Sequence, residues 1–377
     1  MNKALSCNNH FNHFGCSLAD SLAMIYIISS IILAFFLNKK YHFHIEIIRE
    51  EIMKTKQTVL LLTGILVCTS LFANTVSFQN AGCSGIVSYN ESAGPGEAVF
   101  ARMSVRGIKN QKRKSQAEVQ GVLQLIKDGK KIDSARFYQI NQKARKTANI
   151  ELLASIPLSL WTDTNADYSL KVIFSTPTES EKEFSLPFEI EARHFEREVL
   201  DLNEANSNIK QNMSAERMAQ IEKLNTILGT AQPNNVYTLK PFIKPVKSER
   251  MTAHFGDKRV YKYTDGTSEN SQHYGHDYGV PEGTDVFACA EGRVVLAEER
   301  ISTGWSIVIE HLPGLYSLYY HLSRLDVKEN DYVKQGEKIG LSGSTGLATG
   351  PHLHWEVRLN MAAVTPDFFT KDFTFEE

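Results

Sequence analysis

The run Phe184-Ser185-Leu186-Pro187-Phe188-Glu189-Ile190-Glu191 carries an apolar side chain at every second position. Successive side chains of a strand point to opposite faces, so this run reads as one strand with a single buried face. Upstream, Leu170, Val172 and Phe174 repeat the alternation. Earlier still, Asp128-Gly129 separates two strand-like runs, 119–126 and 132–140, as the two-residue turn of a hairpin does. Short strands at this spacing, without a convincing helix, predict a β-sandwich over residues 75–192. The basic residues Lys109, Lys112, Arg113 and Lys114 fall between strands and read as a solvated loop.

Downstream the period changes. Met218, Ile221, Leu224 and Leu228 recur at helical spacing after Ser214, a residue suited to an N-cap, and Gly229 ends the run. With Val199, Leu202 and Ile209 before it, the segment 195–235 is predicted to be a two-helix connector closing in the linker Ala231-Gln232-Pro233-Asn234-Asn235. From residue 236 to 377 the chain is again strand-rich and punctuated by glycine, with runs at 292–295, 305–310, 316–322 and 340–350. That pattern predicts a small β-barrel or sandwich with loops on top. The polar stretch 261–272 reads as a rim loop. The fold class is therefore mainly β, with a short helical connector between two β units.

The 377 residues hold 41 Lys+Arg and 43 Asp+Glu, a balance that offers no basic face to a nucleic acid. Charged residues at 22% and hydrophobic ones at 42% fit an ordinary folded chain. Five cysteines in this length rule out a disulfide-built scaffold. Before residue 74 lie two apolar runs. The first, from Ser21 to Asn38, is uncharged and borderline for a membrane span, with Lys39 and Lys40 after it. The second starts afresh at Met53 with Lys54 and Lys56, runs apolar from Val59 to Cys68 and reaches the small residues Ser70 and Ala73. This is the pattern of a secretory signal peptide over 53–73, with residues 1–52 as upstream sequence. A membrane anchor through the first run stays open as the alternative. The expected location is the periplasm or cell envelope. Cys83 and Cys289 then remain in the exported chain, and nothing in their spacing argues for a bond between them.

Of twelve histidines, seven fall between His254 and His354. His352 and His354 flank Leu353 and point the same way on a strand. His273 and Asp277 are four apart, and His321 follows Tyr319-Tyr320. Three N/O ligands with one place left to water make a catalytic zinc site, although spacing alone leaves manganese and cobalt open. Five candidates exceed three ligand places, so two histidines are free for acid–base work. His194, His254, His276 and His311 read as surface or hydrogen-bonded core residues, and Tyr319 and Tyr320 as packed strand residues.

These residues carry a resemblance. The C-terminal unit resembles the catalytic domain of lysostaphin-type zinc endopeptidases, a peptidoglycan-cutting family of duplicated-hybrid-motif β fold. The likeness begins at Phe242-Ile-Lys-Pro-Val and passes through His254-Phe-Gly-Asp-Lys-Arg259, His273-Tyr-Gly-His-Asp277 and Tyr319-Tyr-His-Leu322. It closes with Gly343-Ser-Thr-Gly-Leu-Ala-Thr-Gly-Pro-His-Leu-His-Trp-Glu-Val-Arg358. The resemblance implies that His273, Asp277 and His354 hold Zn2+. It implies that His321 and His352 supply the general base and the group that orients water and stabilises an oxyanion. Cys289 stands where the family often has proline, and Trp355 where phenylalanine is common. The expected partners are peptidoglycan peptides, with a membrane tether through the N-terminal segments and intramolecular regulation by the β-sandwich as further expectations. The competing function is a non-catalytic wall-binding or hydrolase-activating relative; such members usually lack a ligand or a catalytic histidine, and here all five are present.

Overall fold

The computed structural model describes residues 74–79, 84–106, 120–141, 149–176 and 179–370. The signal-peptide and anchor segments, Cys83 and the basic stretch 109–114 lie outside the described residues. Among the described residues no helix is long and apolar enough to cross a membrane.

The first part of the chain forms β1 (Asn74–Gln79), β2 (Ser84–Tyr89), β3 (Ser92–Ala93), β4 (Ala98–Arg106), β5 (Gln120–Lys127) and β6 (Lys130–Arg136). These are followed by β7 (Tyr138–Gln139), β8 (Asn149–Pro157), β9 (Tyr168–Thr176), β10 (Glu179–Pro187) and β11 (Glu189–Ile190). One sheet has the order β1-β2-β4-β8-β7 and another β10-β9-β5-β6, while β3 and β11 pair in parallel. The alternation decides what is buried: Leu170, Val172, Phe174, Leu186 and Phe188 lie inside, in one cluster with Val99, Met103 and Leu152 of the five-stranded sheet. At the hairpin tip Asp128 and Gly129 both take positive φ, 48° and 74°. That is the mirror-type turn whose twist matches the flanking strands.

Next come β12 (Arg197–Asp201), α1 (Glu204–Lys210) and α2 (Ala215–Leu228). The two helices agree with the periodicity, and Ser214 Oγ accepts from Arg217 N at the start of α2. Leu224, Ile227 and Leu228 pack on Leu296, Val308, Tyr316 and Leu318, whereas Met218 stays exposed. The residues before α1 are a strand rather than helix. Val199 and Leu202 have a spacing that suits a helix, but the deciding partner lies about sixty residues later in the chain and is parallel, which a local pattern does not reveal.

The remaining elements are β13 (Met251–Ala253), β14 (Lys258–Lys262), β15 (Ser268–Gln272), β16 (Gly275–Tyr278), β17 (Asp285–Phe287) and β18 (Gly292–Arg300). They continue with β19 (Gly304–Leu312), β20 (Leu315–Leu325), β21 (Tyr332–Val333), β22 (Lys338–Ser342), β23 (Leu353–Leu359), β24 (Ala362–Val364) and the short α3 (Asp367–Thr370). β12, β14 and β15 make a small sheet. The polar stretch expected as a rim loop is therefore mostly a β-hairpin, its strands carrying exposed polar residues that give no apolar alternation to read. The large sheet has the order β13-β16-β23-β20-β19-β18-β21, with β22, β17 and β24 attached at its side. Its end strands do not pair, so among the described residues it is an open sheet and not a closed barrel.

The described residues fall within one compact unit. Phe100 of β4, 1% exposed, belongs to the same apolar cluster as Ile307, Tyr319 and Trp355. Its ring stacks on Phe368 at 5.7 Å and meets Phe369 edge-on at 6.2 Å. Phe100→Ala is expected to destabilise the protein by about 3–5 kcal/mol, the usual cost of emptying an aromatic core site. A urea midpoint within error of the wild type would show that the two β parts do not depend on this contact.

Candidate active site

The site grows from the register of two neighbouring strands. Asp277 of β16 sits directly opposite His354 of β23. His273 precedes β16, where its N–H donates to Asp257 O and its carbonyl accepts from Gly256 N. Gly275 allows the close approach: a Cβ there would lie 2.4 Å from Trp355 O and 2.8 Å from His354 Nε2. His273 Nδ1–H donates to His254 O at 2.8 Å, which turns its Nε2 lone pair inward.

At the centre, His354 Nδ1 lies 2.8 Å from Asp277 Oδ1 and 3.1 Å from His273 Nε2. His273 Nε2 and Asp277 Oδ1 are themselves 3.0 Å apart. Three acceptor-capable atoms thus meet around a single proton, carried by His354. Burial disfavours its charge, yet the hydrogen bond to Asp277 and the nearby Glu356 carboxylate outweigh burial and lift its pKa to about 9. Burial raises Asp277, but the facing His273 and His354 hold its carboxyl well below the usual range. Burial pushes His273 down, against the pull of Asp277. The ligand atoms of these three residues all lie within 4.8 Å of one another. A buried N2O donor set of this kind suits a divalent cation, which would take the place of the shared proton.

The other two histidines stand beside this group. His321 and His352 have ring centroids 4.7 Å apart, and His321 is 6.1 Å from His354. His352 Nε2 lies 3.7 Å from Asp277 Oδ1. Each ring donates Nδ1–H to a backbone carbonyl, His321 to Thr345 at 2.7 Å and His352 to Gly350 at 2.8 Å. Both therefore aim Nε2 at the site. His321 reaches this pose through an irregularity: the β19–β20 register slips between Trp305 and Ile307, and His321 takes φ 61°. An extra residue in a strand re-aims a side chain, here toward the metal ligands. Burial, followed by the neighbouring His352 and His354, lowers the His321 pKa to about 3, so the ring is neutral at cellular pH.

All five sequence-derived site residues therefore meet in one place. Asp277, His321, His352 and His354 line a cavity of about 230 Å³, whose walls also include Glu198, Leu200, Arg259, Tyr261 and Leu347. The set-aside histidines lie elsewhere. His276 points away, with Nε2 3.2 Å from Asp367 Oδ1, and His194 is exposed. Tyr319 is fully buried and its hydroxyl accepts from Cys289 N, whereas Tyr320 stacks flat on His354 at 5.5 Å. Residue-level reading did not single out Glu356, Arg259 or Glu198. Glu356 was accessible to it, since it follows His354 by two and shares its strand face; its carboxylate lies 3.7 Å from His354 Nε2.

His311 is buried without reaching the site, its Nδ1 2.9 Å from Glu291 O and its Nε2 2.7 Å from Ser317 Oγ. Burial lowers its pKa from 6.5 to about 4. The neutral ring therefore contributes stability that is intact above pH 6.5 and lost as the pH falls toward 4. The whole step is about 3 kcal/mol. A His311→Gln variant should show a shallower fall of its urea midpoint across that window; an unchanged slope would remove His311 as the cause.

Residues 271–366 match the model of Peptidase family M23, and the C-terminal part of the chain is a domain of that family. The peptidoglycan DD-endopeptidase ShyA of Vibrio cholerae is 38% identical over 114 residues, covering 30% of this chain and 26% of that protein. The DD-carboxypeptidase/endopeptidase Mpg of Neisseria meningitidis is 44% identical over 94 residues, 25% of this chain and 22% of its own length. Matches to these curated relatives thus span about a quarter of their length. Among solved structures, lysostaphin of Staphylococcus simulans aligns with 32% identity over 33% of this chain and 48% of its own, at a TM-score of 0.26.

Proposed function

We propose that this protein is an exported zinc-dependent endopeptidase that hydrolyses peptide bonds in the stem peptides or cross-bridges of peptidoglycan. The observation that carries this reading is the convergence of His273, Asp277 and His354 on one point, with the Nε2 atoms of His321 and His352 beside it. The names of the relatives support the substrate class, and the leader-like stretch 53–73 supports export. Imidazole and carboxylate donors favour zinc among the common metals.

When bound there, the metal supplies Lewis-acid polarisation of a carbonyl and lowers the pKa of water toward neutrality. The chain's own residues do the rest. Substrate enters the cavity between the hairpin β14–β15 and the segment 347–352. His321, neutral and anchored through Nδ1, offers Nε2 to take the proton of the attacking water. His352 presents Nε2 from the residue just before β23, beside the reacting carbonyl, and the proton taken up by His321 passes on to the leaving amine.

The test is mass spectrometry of purified peptidoglycan after incubation with the protein, with and without a chelator, alongside elemental analysis. New muropeptides that vanish on chelation are the expected result, and their masses name the bond. Stoichiometric zinc with intact peptidoglycan would overturn the enzymatic reading in favour of wall binding.

A further inference from the structure

The two oxygens of Asp277 have different tasks. Oδ1 faces His354 Nδ1 and His273 Nε2, at 2.8 Å and 3.0 Å. Oδ2 accepts from Arg259 Nη2 at 2.8 Å. Arg259 is itself held from behind, for its Nε donates to Glu198 Oε2 at 3.2 Å. Glu198 belongs to β12 and is the direct register partner of Arg259 in β14. The guanidinium side chain is only 13% exposed, so this fork is largely shielded from water. A free carboxylate can swing between one-oxygen and two-oxygen coordination. A planar guanidinium that occupies Oδ2 and is braced on its other side leaves Oδ1 alone for the metal, in one orientation.

We infer that Arg259 and Glu198 are positioning residues for the metal centre, fixing Asp277 through its outer oxygen, and that the strand β12 before the helices is a working part of the site. This rests on the metal-site reading given above. The pair also balances charge: Arg259 next to a cation site is unfavourable by itself, and Glu198 offsets it, so Asp277, Arg259 and Glu198 together keep one negative charge. Partners of this outer kind typically account for 10–100-fold in metal affinity.

Positioning and simple charge predict opposite signs. Removing a cation beside the site by Arg259→Gln would tighten metal binding if only charge mattered. Positioning requires that it weaken. Arg259→Lys keeps the charge and loses the fork, so charge predicts no change and positioning predicts a loss. The experiment uses the full chain and titrates zinc in competition with a chromophoric chelator. In parallel, cobalt(II) is loaded and its visible ligand-field bands are recorded, and thermal unfolding of the chelated protein monitors the fold. Arg259→Gln and Arg259→Lys should each weaken zinc binding about 10–100-fold and shift the cobalt bands, with Glu198→Gln giving a smaller loss in the same direction. Zinc affinity equal to or tighter than wild type in Arg259→Lys, with the cobalt bands unmoved, would overturn the inference. Arg259→Lys decides the matter if Arg259→Gln fails to fold. A wild-type protein that takes up no zinc would instead sink the metal-site reading itself.

Discussion

Replacing His354 by alanine is expected to abolish both metal binding and peptidoglycan cleavage. The side chain supplies one of the three ligand atoms that lie within 4.8 Å of one another, on the strand opposite the other two residues. Losing a direct donor should cost more than the 10–100-fold typical of an outer partner, so no stoichiometric metal should survive dialysis. The substitution also strips Tyr320 of its stacked ring and leaves Glu356 with Arg358 as its remaining charged neighbour. Circular dichroism should still report the β fold, because the sheet is held by its backbone ladder and by the core of Tyr319, Trp355 and Ile307. Elemental analysis is the deciding measurement. Full zinc occupancy in the variant would mean that the metal sits elsewhere.

His321→Ala should behave differently. Its Nε2 faces the site, but His321 is not among the three converging ligands. The variant should keep wild-type zinc content and lose about 10²–10⁴-fold in rate, the range of a general base. Zinc loss equal to that of His354→Ala would show His321 to be a ligand.

What the sequence disclosed followed from local periodicity. The alternation of Leu170, Val172 and Phe174, the Asp128-Gly129 turn and the His352-Leu353-His354 pair are all short-range patterns, whereas the run 184–191, read as one strand, divides at Phe188 between β10 and β11, which pair in different sheets. The features it hid depend on distant partners. Arg197–Asp201 becomes a strand because β14 offers it an edge, and the hairpin after Arg259 lacks the apolar repeat that would announce it. The reach of His321 needs a register slip that no residue type signals. Arg259 closes the run His254–Arg259, but its role depends on Asp277 Oδ2 and on Glu198, both remote in sequence.

The position of β23 has a consequence for synthesis. This strand lies between β16 and β20 in the middle of the large sheet, bears His354 and follows His352, yet only β24 and α3 come after it among the described elements. A chain emerging from its N-terminus therefore completes the first β unit, the helices and the flanking strands while the middle of the sheet is still missing. Until residues 352–359 arrive, β16 and β20 have no common neighbour, and Asp277 has no histidine across from it. The candidate site is thus completed only when residues 352–359 join strands that all precede them in the chain.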